Sequence, residues 1–176
     1  MNSNLEVDNA WHKIIRISEL SSTHTSVSAI SRDIVAAAEQ IFLGNALLWI
    51  NKEGYIPTYP GLSEKLAFDN QVECTPLMQT SIANNSIISH VDLTSDELRK
   101  KYSLSAPIYY NQHLYGAFTV QRCDTEFTDG DKVLFSGLII QISITLSSAR
   151  QRILDQWSIE LLELVRQVSQ HITSIF

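Results

Sequence analysis

The sequence predicts an α+β fold: a central antiparallel sheet of five to six strands, helices on one face and a long C-terminal helix. Apolar residues recur at helical spacing over 27–43, which is typical of a helix with one buried face. Two alternating segments, 103–110 and 113–121, are separated by only two residues, and such a short connection requires antiparallel pairing. Neither glycine nor proline follows Gly137, so we expect one helix from about Asp129 to the last residue.

The N-terminal half predicts two helices followed by a hairpin. The helices are expected over 9–20 and 27–43, and Gly44 is expected to end the second one in a left-handed conformation. Strands are predicted near 45–50 and 55–59. Pro57 lacks an N–H group, which favours a sheet edge for the second of these strands.

The middle of the chain predicts a short helix and then the rest of the sheet. Thr75 and Pro76 open "TPLMQTSIANN" as an N-cap and a first helical residue. A short strand is expected near 86–89, and the polar stretch after it favours a helical turn begun by Thr94 or Ser95. Thr128 is predicted to cap the final helix.

Composition and charge exclude several classes of protein. Hydrophobic residues make up 44% of the 176 residues and charged residues 18%, a balance that favours a packed core over disorder. The formal net charge of −6 gives nucleic acid no basic surface, so we expect no nucleic-acid binding and no direct membrane binding. The N-terminus lacks an apolar signal segment, and we expect a cytoplasmic protein.

The sequence shows no catalytic or metal-binding motif. Cys74 and Cys123 lie far apart, and the five histidines do not fall at zinc or triad spacing. We therefore expect no catalytic residue, no metal site and no enzymatic activity in this chain. The two thiols are interpreted as small core residues, with a reactive or cofactor-attaching thiol as the alternative.

The segment "SLSAPIYYNQHLYGAFTVQ" with the following "TEFTDGDKVLFSGLIIQISITLSSAR" resembles a GAF domain, a sensory module related to PAS domains. The similar features are Ala106-Pro107-Ile108, Gly116-Ala117-Phe118, Phe127-Thr128-Asp129 and the small residues Ser147-Ser148-Ala149. The resemblance implies that the strand is irregular at Pro107, so that a missing N–H is tolerated there. It covers roughly residues 10–150.

The resemblance also implies where a ligand would bind. A GAF sheet packs one face on helices and uses the other as the floor of a small-molecule cavity beneath the middle helix. Here that face is mixed rather than apolar. The cofactor is unknown: the motifs for bilin attachment and cyclic-nucleotide binding are not assembled, and neither haem nor metal has a signature. The predicted ligand-binding residues are Trp49, Tyr59, Met78, Ser105, Thr119 and Gln121.

The C-terminal helix predicts self-association. Its apolar residues continue at steps of three or four past the predicted domain, so they need a partner. The alternative is that the helix folds back on the chain's own first helix, which is too short to cover all of these residues. We expect a homodimer through the N- and C-terminal helices, with a sensor domain over 1–150 and a signalling or coiled-coil helix over 151–176, which could begin a following module. The predicted dimer seam comprises Ile142, Leu146, Ala149, Ile153, Trp157, Leu161, Leu164 and Val168.

The resulting functional prediction is a regulatory GAF module of a larger signalling protein, such as the sensor kinase of a two-component system. It would bind a small ligand or act as a dimerising transmission module. The alternative is a structural dimerisation adaptor without a ligand.

Overall fold

A computed structural model describes residues 9–17, 19, 26–52, 72–93 and 100–173. Residues 9–17 form helix α1. The elements that follow are α2 (Val27–Phe42), β1 (Asn45–Ile50), α3 (Pro76–Asn84), β2 (Ile88–Leu93), β3 (Lys100–Tyr110), β4 (His113–Cys123) and α4 (Asp129–Thr173).

The four strands form one antiparallel sheet in the order β1-β4-β3-β2, which confirms the predicted α+β architecture. Within the described part of the chain the sheet has four strands rather than five or six. The predicted strand 55–59 with Pro57, and the turn at Thr94 or Ser95, lie outside the described residues. The short strand expected near 86–89 instead runs over Ile88–Leu93.

One face of the sheet carries the hydrophobic core. Leu104, Ala106 and Ile108 of β3 and Phe118 and Val120 of β4 are all fully or almost fully buried. They pack in one cluster with the apolar stripe of α2 and the first half of α4. The ring of Phe135 in α4 stacks on that of Phe118 at 6.2 Å between centroids.

Helix α2 ends one residue earlier than the glycine signal predicts. Leu43, not Gly44, takes the left-handed conformation, with φ at 52°, and its N–H donates to the carbonyl of Glu39. Gly44 is required for a different reason: a Cβ atom there would lie 2.1 Å from the carbonyl oxygen of Gln121. The glycine therefore permits the close approach of the chain to β4 as β1 begins.

Pro107 lies beyond the last residue pair between β3 and β2, the edge strand next to it. The last pair between β2 and β3 is Ile88 with Ser105, and the register with β4 shifts between Ile108 and Tyr109. A proline is tolerated at such an irregular end of pairing. The β3–β4 turn at Asn111 and Gln112 has positive φ at both residues, as a two-residue hairpin turn requires.

Helix α4 has 45 residues and is about 68 Å long, so it extends beyond the domain as predicted. Its first half is held by the sheet and by α1, because the Trp11 ring lies against Gly137 and Thr145 Oγ1 donates to the Ile17 carbonyl at 3.1 Å. Residues 158–171 are all exposed.

Among the described helices, α4 alone is long and apolar enough to cross a membrane by length and composition. One such helix is weak evidence for a membrane span, and Ile142, Leu146 and Ala149 of this helix are buried in the domain core.

Candidate functional site

The second face of the sheet is built from rows of cross-strand neighbours whose polarity changes along the strands. Directly paired residues of antiparallel strands project from the same face. One row runs Leu47, Thr119, Ser105, Ile88, and the row beside it runs Asn45, Gln121, Ser103, His90. On the other side of the first row lie Trp49, Ala117 and Pro107. The face is therefore apolar at one end and polar at the other.

Three hydroxyl groups form a connected chain between this face and helix α3. Thr119 Oγ1 donates to Ser105 Oγ at 2.9 Å, Ser105 Oγ donates to Ser81 Oγ at 3.4 Å, and Ser81 Oγ donates to the Met78 carbonyl at 2.8 Å. All three side chains are fully buried. A buried hydroxyl needs a hydrogen-bond partner, and this hydroxyl chain gives each one a partner across the interface of helix and sheet.

Helix α3 is positioned by local signals at both ends. Thr75 caps it by accepting from the Met78 N–H, and Pro76 occupies its first turn, as predicted. Asn85 ends it in the left-handed conformation, with φ at 46°. Met78 and Ser81 are its buried residues, and they lie three positions apart on the side that faces the sheet. We call α3 the lid helix.

The polar row beside the hydroxyl chain runs from the interior to the rim. Ser103 is buried, Gln121 is half-buried, and Asn45 and His90 are exposed. The imidazole of His90 lies 2.9 Å from the carboxylate of Asp92, with both side chains largely exposed. Side-chain amides and hydroxyls thus dominate this row, and its ionisable groups stand at the edge.

The structure brings most of the predicted ligand-binding residues to this face. Ser105 and Thr119 are the centre of the hydroxyl chain, Met78 is fully buried in the lid helix, and Trp49 and Gln121 are half-buried on the sheet. Tyr59 lies outside the described residues. Sequence reasoning missed Ser81, although its position three residues after Met78 on a short predicted helix places it on the same side of that helix.

The end of β4 is tied to the start of α4 by Arg122, which sequence reasoning also missed. Its guanidinium contacts the Asp131 carboxylate at 2.8 Å, and both side chains are mostly buried. It also donates to the carbonyls of Thr125 and Glu126 and lies 4.2 Å over the Phe127 ring. We call this arrangement the Arg122 clamp.

Asp131 completes the clamp from the helix side. Its carboxylate accepts from the Thr128 N–H at 2.8 Å, while Thr128 Oγ1 accepts from the Asp131 N–H at 3.1 Å. This reciprocal pattern is a capping box, and it confirms Thr128 as the cap of the long helix. The clamp joins the strand that carries Thr119 and Gln121 to the first turn of α4.

The described residues hold no group of three or more potential metal ligands. Cys74 is half-buried and Cys123 is exposed. Partial burial raises the pKa of the Cys74 thiol, which lowers the fraction of reactive thiolate at neutral pH.

The predicted dimer seam divides into three parts. Ile142, Leu146 and Ala149 are buried in the core of their own domain, so they do not belong to a seam for a partner. Their spacing marked the face of α4 that covers the sheet.

The remaining seam residues differ in exposure along the helix. Ile153 and Trp157 are half-buried against the same core. Leu161, Leu164 and Val168 are exposed by 45%, 58% and 52%. Only these last three leave a large apolar surface open to a partner.

Comparisons with known proteins agree with this architecture. The family model of the GAF domain matches residues 26–146. No curated protein matches the sequence. Several solved structures share the fold at low sequence identity, and such a likeness concerns the fold alone.

Two of these structures are GAF domains of phosphoenolpyruvate-protein phosphotransferases. The one from Coxiella burnetii has a TM-score of 0.58 at 15% identity, over 83% of this chain and 97% of its own. The one from Acinetobacter has a TM-score of 0.56 at 12% identity, over 81% and 95%.

A third similar structure is the free methionine-R-sulfoxide reductase of Neisseria meningitidis in complex with its substrate. Its TM-score is 0.57 at 12% identity, over 83% of this chain and 93% of its own. Since the family model covers more than half of the residues and the folds agree, the chain belongs to the GAF domain family, a family of sensory and regulatory modules.

Proposed function

We propose that this GAF domain senses a small molecule on the lid-covered face of its sheet and passes the change along α4 within a homodimer. The parent protein would be a larger signalling protein such as a sensor kinase. The observation that carries the proposal is the buried hydroxyl chain of Ser81, Ser105 and Thr119. Hydroxyls placed between a short helix and a sheet can exchange their mutual hydrogen bonds for bonds to a ligand.

The chemistry of the face favours a ligand with neutral hydrogen-bonding groups and one apolar end. Hydroxyl and amide side chains line its polar rows, and Trp49, Ala117 and Pro107 line the other end. No Lys, Arg, Asp or Glu stands in the three described rows that hold Thr119, Gln121 and Trp49. A strongly charged ligand would therefore lack a buried counter-charge here.

The Arg122 clamp gives the signal a physical route. Thr119 and Gln121 face the ligand site, and Arg122 is the next residue of the same strand. A change in the position of β4 reaches the first turn of α4 through the pair of Arg122 and Asp131. Ligand binding would then favour one packing of α4 over another, which is a population shift between two states.

Thermal shift against a panel of uncharged compounds with one apolar end, such as nucleosides and small amides, at millimolar concentration tests ligand sensing. We expect at least one compound to raise the melting temperature of the wild type and to lose this effect in Thr119→Val. This substitution keeps the shape of the side chain but removes the hydroxyl. A compound that stabilises both proteins equally would not bind at the hydroxyl chain, and that result would contradict the assignment.

Dimerisation is tested by adding charge to the exposed part of α4. Leu161→Glu with Leu164→Glu should shift the protein toward monomer in light scattering, because each buried leucine side chain contributes about 1.5–3 kcal/mol to association. The matched control is Gln156→Glu with Ile159→Glu, which adds two charges at exposed positions on the other side of the same helix. A wild type that is monomeric at high micromolar concentration would contradict the dimer.

A structural dimerisation adaptor is the second candidate, and one observation favours it. Each of the three hydroxyls already donates within the protein, so the hydroxyl chain is satisfied without a ligand. In this case the dimer test succeeds, whereas no compound of the panel shifts the melting temperature.

The proposal assigns no catalysis to this chain. The raised pKa of Cys74 disfavours its thiolate, and a nucleophilic cysteine needs a lowered pKa. With dithiothreitol as reductant, we expect the wild type to reduce free methionine sulfoxide no faster than the double variant Cys74→Ser with Cys123→Ser. Turnover that depends on either cysteine would show an enzyme instead.

A further inference from the structure

A small pocket lies at the end of the sheet where β3 begins and β4 ends. It has a volume of about 210 Å³. Because side chains alternate along a strand, Lys101 and Cys123 project from the same face as Thr119, two rows beyond it. Asn45 and Gln121 form the row between, and all four of the residues outside the Thr119 row line the pocket. We call it the rim pocket.

The polar side chains of the rim pocket lack partners within the described part of the chain. The Lys101 ammonium forms no ion pair there, and the side-chain amides of Asn45 and Gln121 form no hydrogen bonds there. Lys101 and Gln121 are also half-buried. Polar groups that are partly withdrawn from water and unpaired favour a ligand that supplies the missing partners.

The charges around the pocket leave Lys101 as its available cation. Arg122 also borders the pocket, but its guanidinium projects to the opposite face and contacts the Asp131 carboxylate at 2.8 Å. Asp92 pairs with Lys101 in the sheet register, yet its carboxylate contacts the imidazole of His90 at 2.9 Å. Among the described residues that line the pocket none is acidic. An unpaired cation therefore faces a pocket without a carboxylate of its own.

We propose that the rim pocket binds the carboxylate of a small organic acid, held by the Lys101 ammonium and by N–H groups of the Asn45 and Gln121 amides. One lysine balances one negative charge, which favours a monocarboxylate over a phosphate or sulfate dianion in a chain of net charge −6. The volume lies below the roughly 300–1,000 Å³ of pockets for drug-sized ligands, so the acid is small.

This site goes beyond the ligand site proposed beneath the lid helix. The rows around Thr119 hold no described charge and suit a neutral compound, whereas Lys101 stands two rows further along the same face. The rim pocket also lies at the end of β4 that the Arg122 clamp joins to α4. The two sites therefore take different chemical groups and can be tested separately.

Cys123 provides a reporter inside the rim pocket. Its thiol is exposed, and the residue pairs directly with Lys101. Iodoacetate and iodoacetamide react in the same way: the thiolate sulfur bonds to carbon as iodide leaves. Only iodoacetate carries a carboxylate. The thiolate fraction enters both rates equally, so the ratio of the two rates at Cys123 measures how strongly the pocket recruits a carboxylate.

Alkylation rates at Cys123 of the full chain, measured by mass spectrometry of its peptides, test the proposal. We expect Lys101→Met to lower the ratio of iodoacetate to iodoacetamide rates at least about threefold, because the attraction between opposite charges is lost. Gln121→Leu should lower it in the same direction. The matched control is Lys100→Met, which removes the same charge from the next residue, on the opposite face. No fall in Lys101→Met, or an equal fall in both lysine variants, would overturn the site.

Competition on the wild type makes the test independent of any variant. Propionate at millimolar concentration should slow iodoacetate at Cys123, whereas propionamide, its neutral counterpart, and sodium chloride at equal ionic strength should not. Cys74 in the same chain is the internal control, and its rate should not respond to propionate. A high ratio at Cys123 without competition by propionate would show attraction to a lysine without a binding site, and would overturn the proposal.

The outcomes separate this proposal from the proposed function. Thr119→Val should leave the alkylation ratio at Cys123 unchanged, because its side chain lies two rows from the rim pocket. Ligand sensing beneath the lid helix is decided by the thermal shift of the same variant. A fall of the ratio in Thr119→Val as large as that in Lys101→Met would show one continuous site and would overturn a separate rim pocket.

Discussion

Helices α2 and α3 cover opposite faces of the same sheet, yet the two faces hold them to very different degrees. α2 has 16 residues and buries five, including Ile30, Ile34 and Phe42. α3 has nine residues and buries only Met78 and Ser81. At about 1.5–3 kcal/mol for each large apolar side chain, α2 is fixed by several such contributions and α3 by one.

The difference fits the proposed function, in which one sheet serves two purposes. The face under α2 and α4 supplies stability through apolar packing, which does not depend on any single hydrogen bond. The face under α3 is held by hydroxyl groups, whose net contribution of about 0.5–1.5 kcal/mol each is small and whose partners can be exchanged. A sensory module needs both: a body that stays folded and a cover that responds.

The largest expected effect is at Phe118 on the core face. It is compared with Thr119, the next residue in the sequence, which projects from the opposite face. Phe118→Ala should lower the free energy of unfolding by about 3–5 kcal/mol, because it empties a fully buried site against Phe135. Thr119→Val should lower it by only about 1 kcal/mol, because it removes one hydroxyl and keeps the volume. Urea unfolding followed by circular dichroism measures both; equal losses would remove the distinction between the faces.

An intermediate effect is expected at the clamp between the sheet and α4. Arg122→Met should lower the free energy of unfolding by about 1–3 kcal/mol, since it leaves the mostly buried Asp131 carboxylate without its cation. The matched control is Arg166→Met, which removes the cation of an exposed ion pair with Glu163 on α4. A loss at Arg122 no larger than at Arg166 would show that the clamp does not stabilise the fold.

The smallest expected effect concerns the two thiols. Burial raises the pKa of Cys74, so its thiolate fraction at pH 8 is below that of an unperturbed cysteine. Iodoacetamide should therefore modify the exposed Cys123 several-fold faster than Cys74, and raising the pH should accelerate Cys74. Mass spectrometry of the peptides at timed intervals measures both rates. Faster modification of Cys74 at pH 8 would contradict its burial.

Much of the body of this fold could be predicted from local patterns. Ser105 and Thr119, which were predicted for the ligand face, alternate along their strands with the buried Leu104, Ala106 and Phe118, because a side-chain period of two places neighbouring residues on opposite faces. Thr75 and Thr128 could be predicted as the N-caps of α3 and α4, since capping depends on residues only a few positions apart.

Features that depend on contacts distant in sequence could not be predicted in the same way. Gly44 resembled a helix terminator, but its role is set by Gln121 on another strand. The apolar stripe of α4 looked like one dimer seam because periodicity does not tell a domain core from a partner. In the structure Ile142 and Leu146 face the sheet, whereas Ile140 and Ile144, two residues away in each case, face outward.

Amide hydrogen exchange tests most directly the central claim that the α3 face is the responsive side of the sheet. We expect the amides of α3 to exchange through local opening, with protection at least about 100-fold below that of α2, because few apolar contacts hold α3 to the sheet. The same peptides should become more protected in the presence of any compound that raises the melting temperature of the wild type but not that of Thr119→Val. Equal protection of α3 and α2, with both exchanging only through global unfolding, would contradict the account.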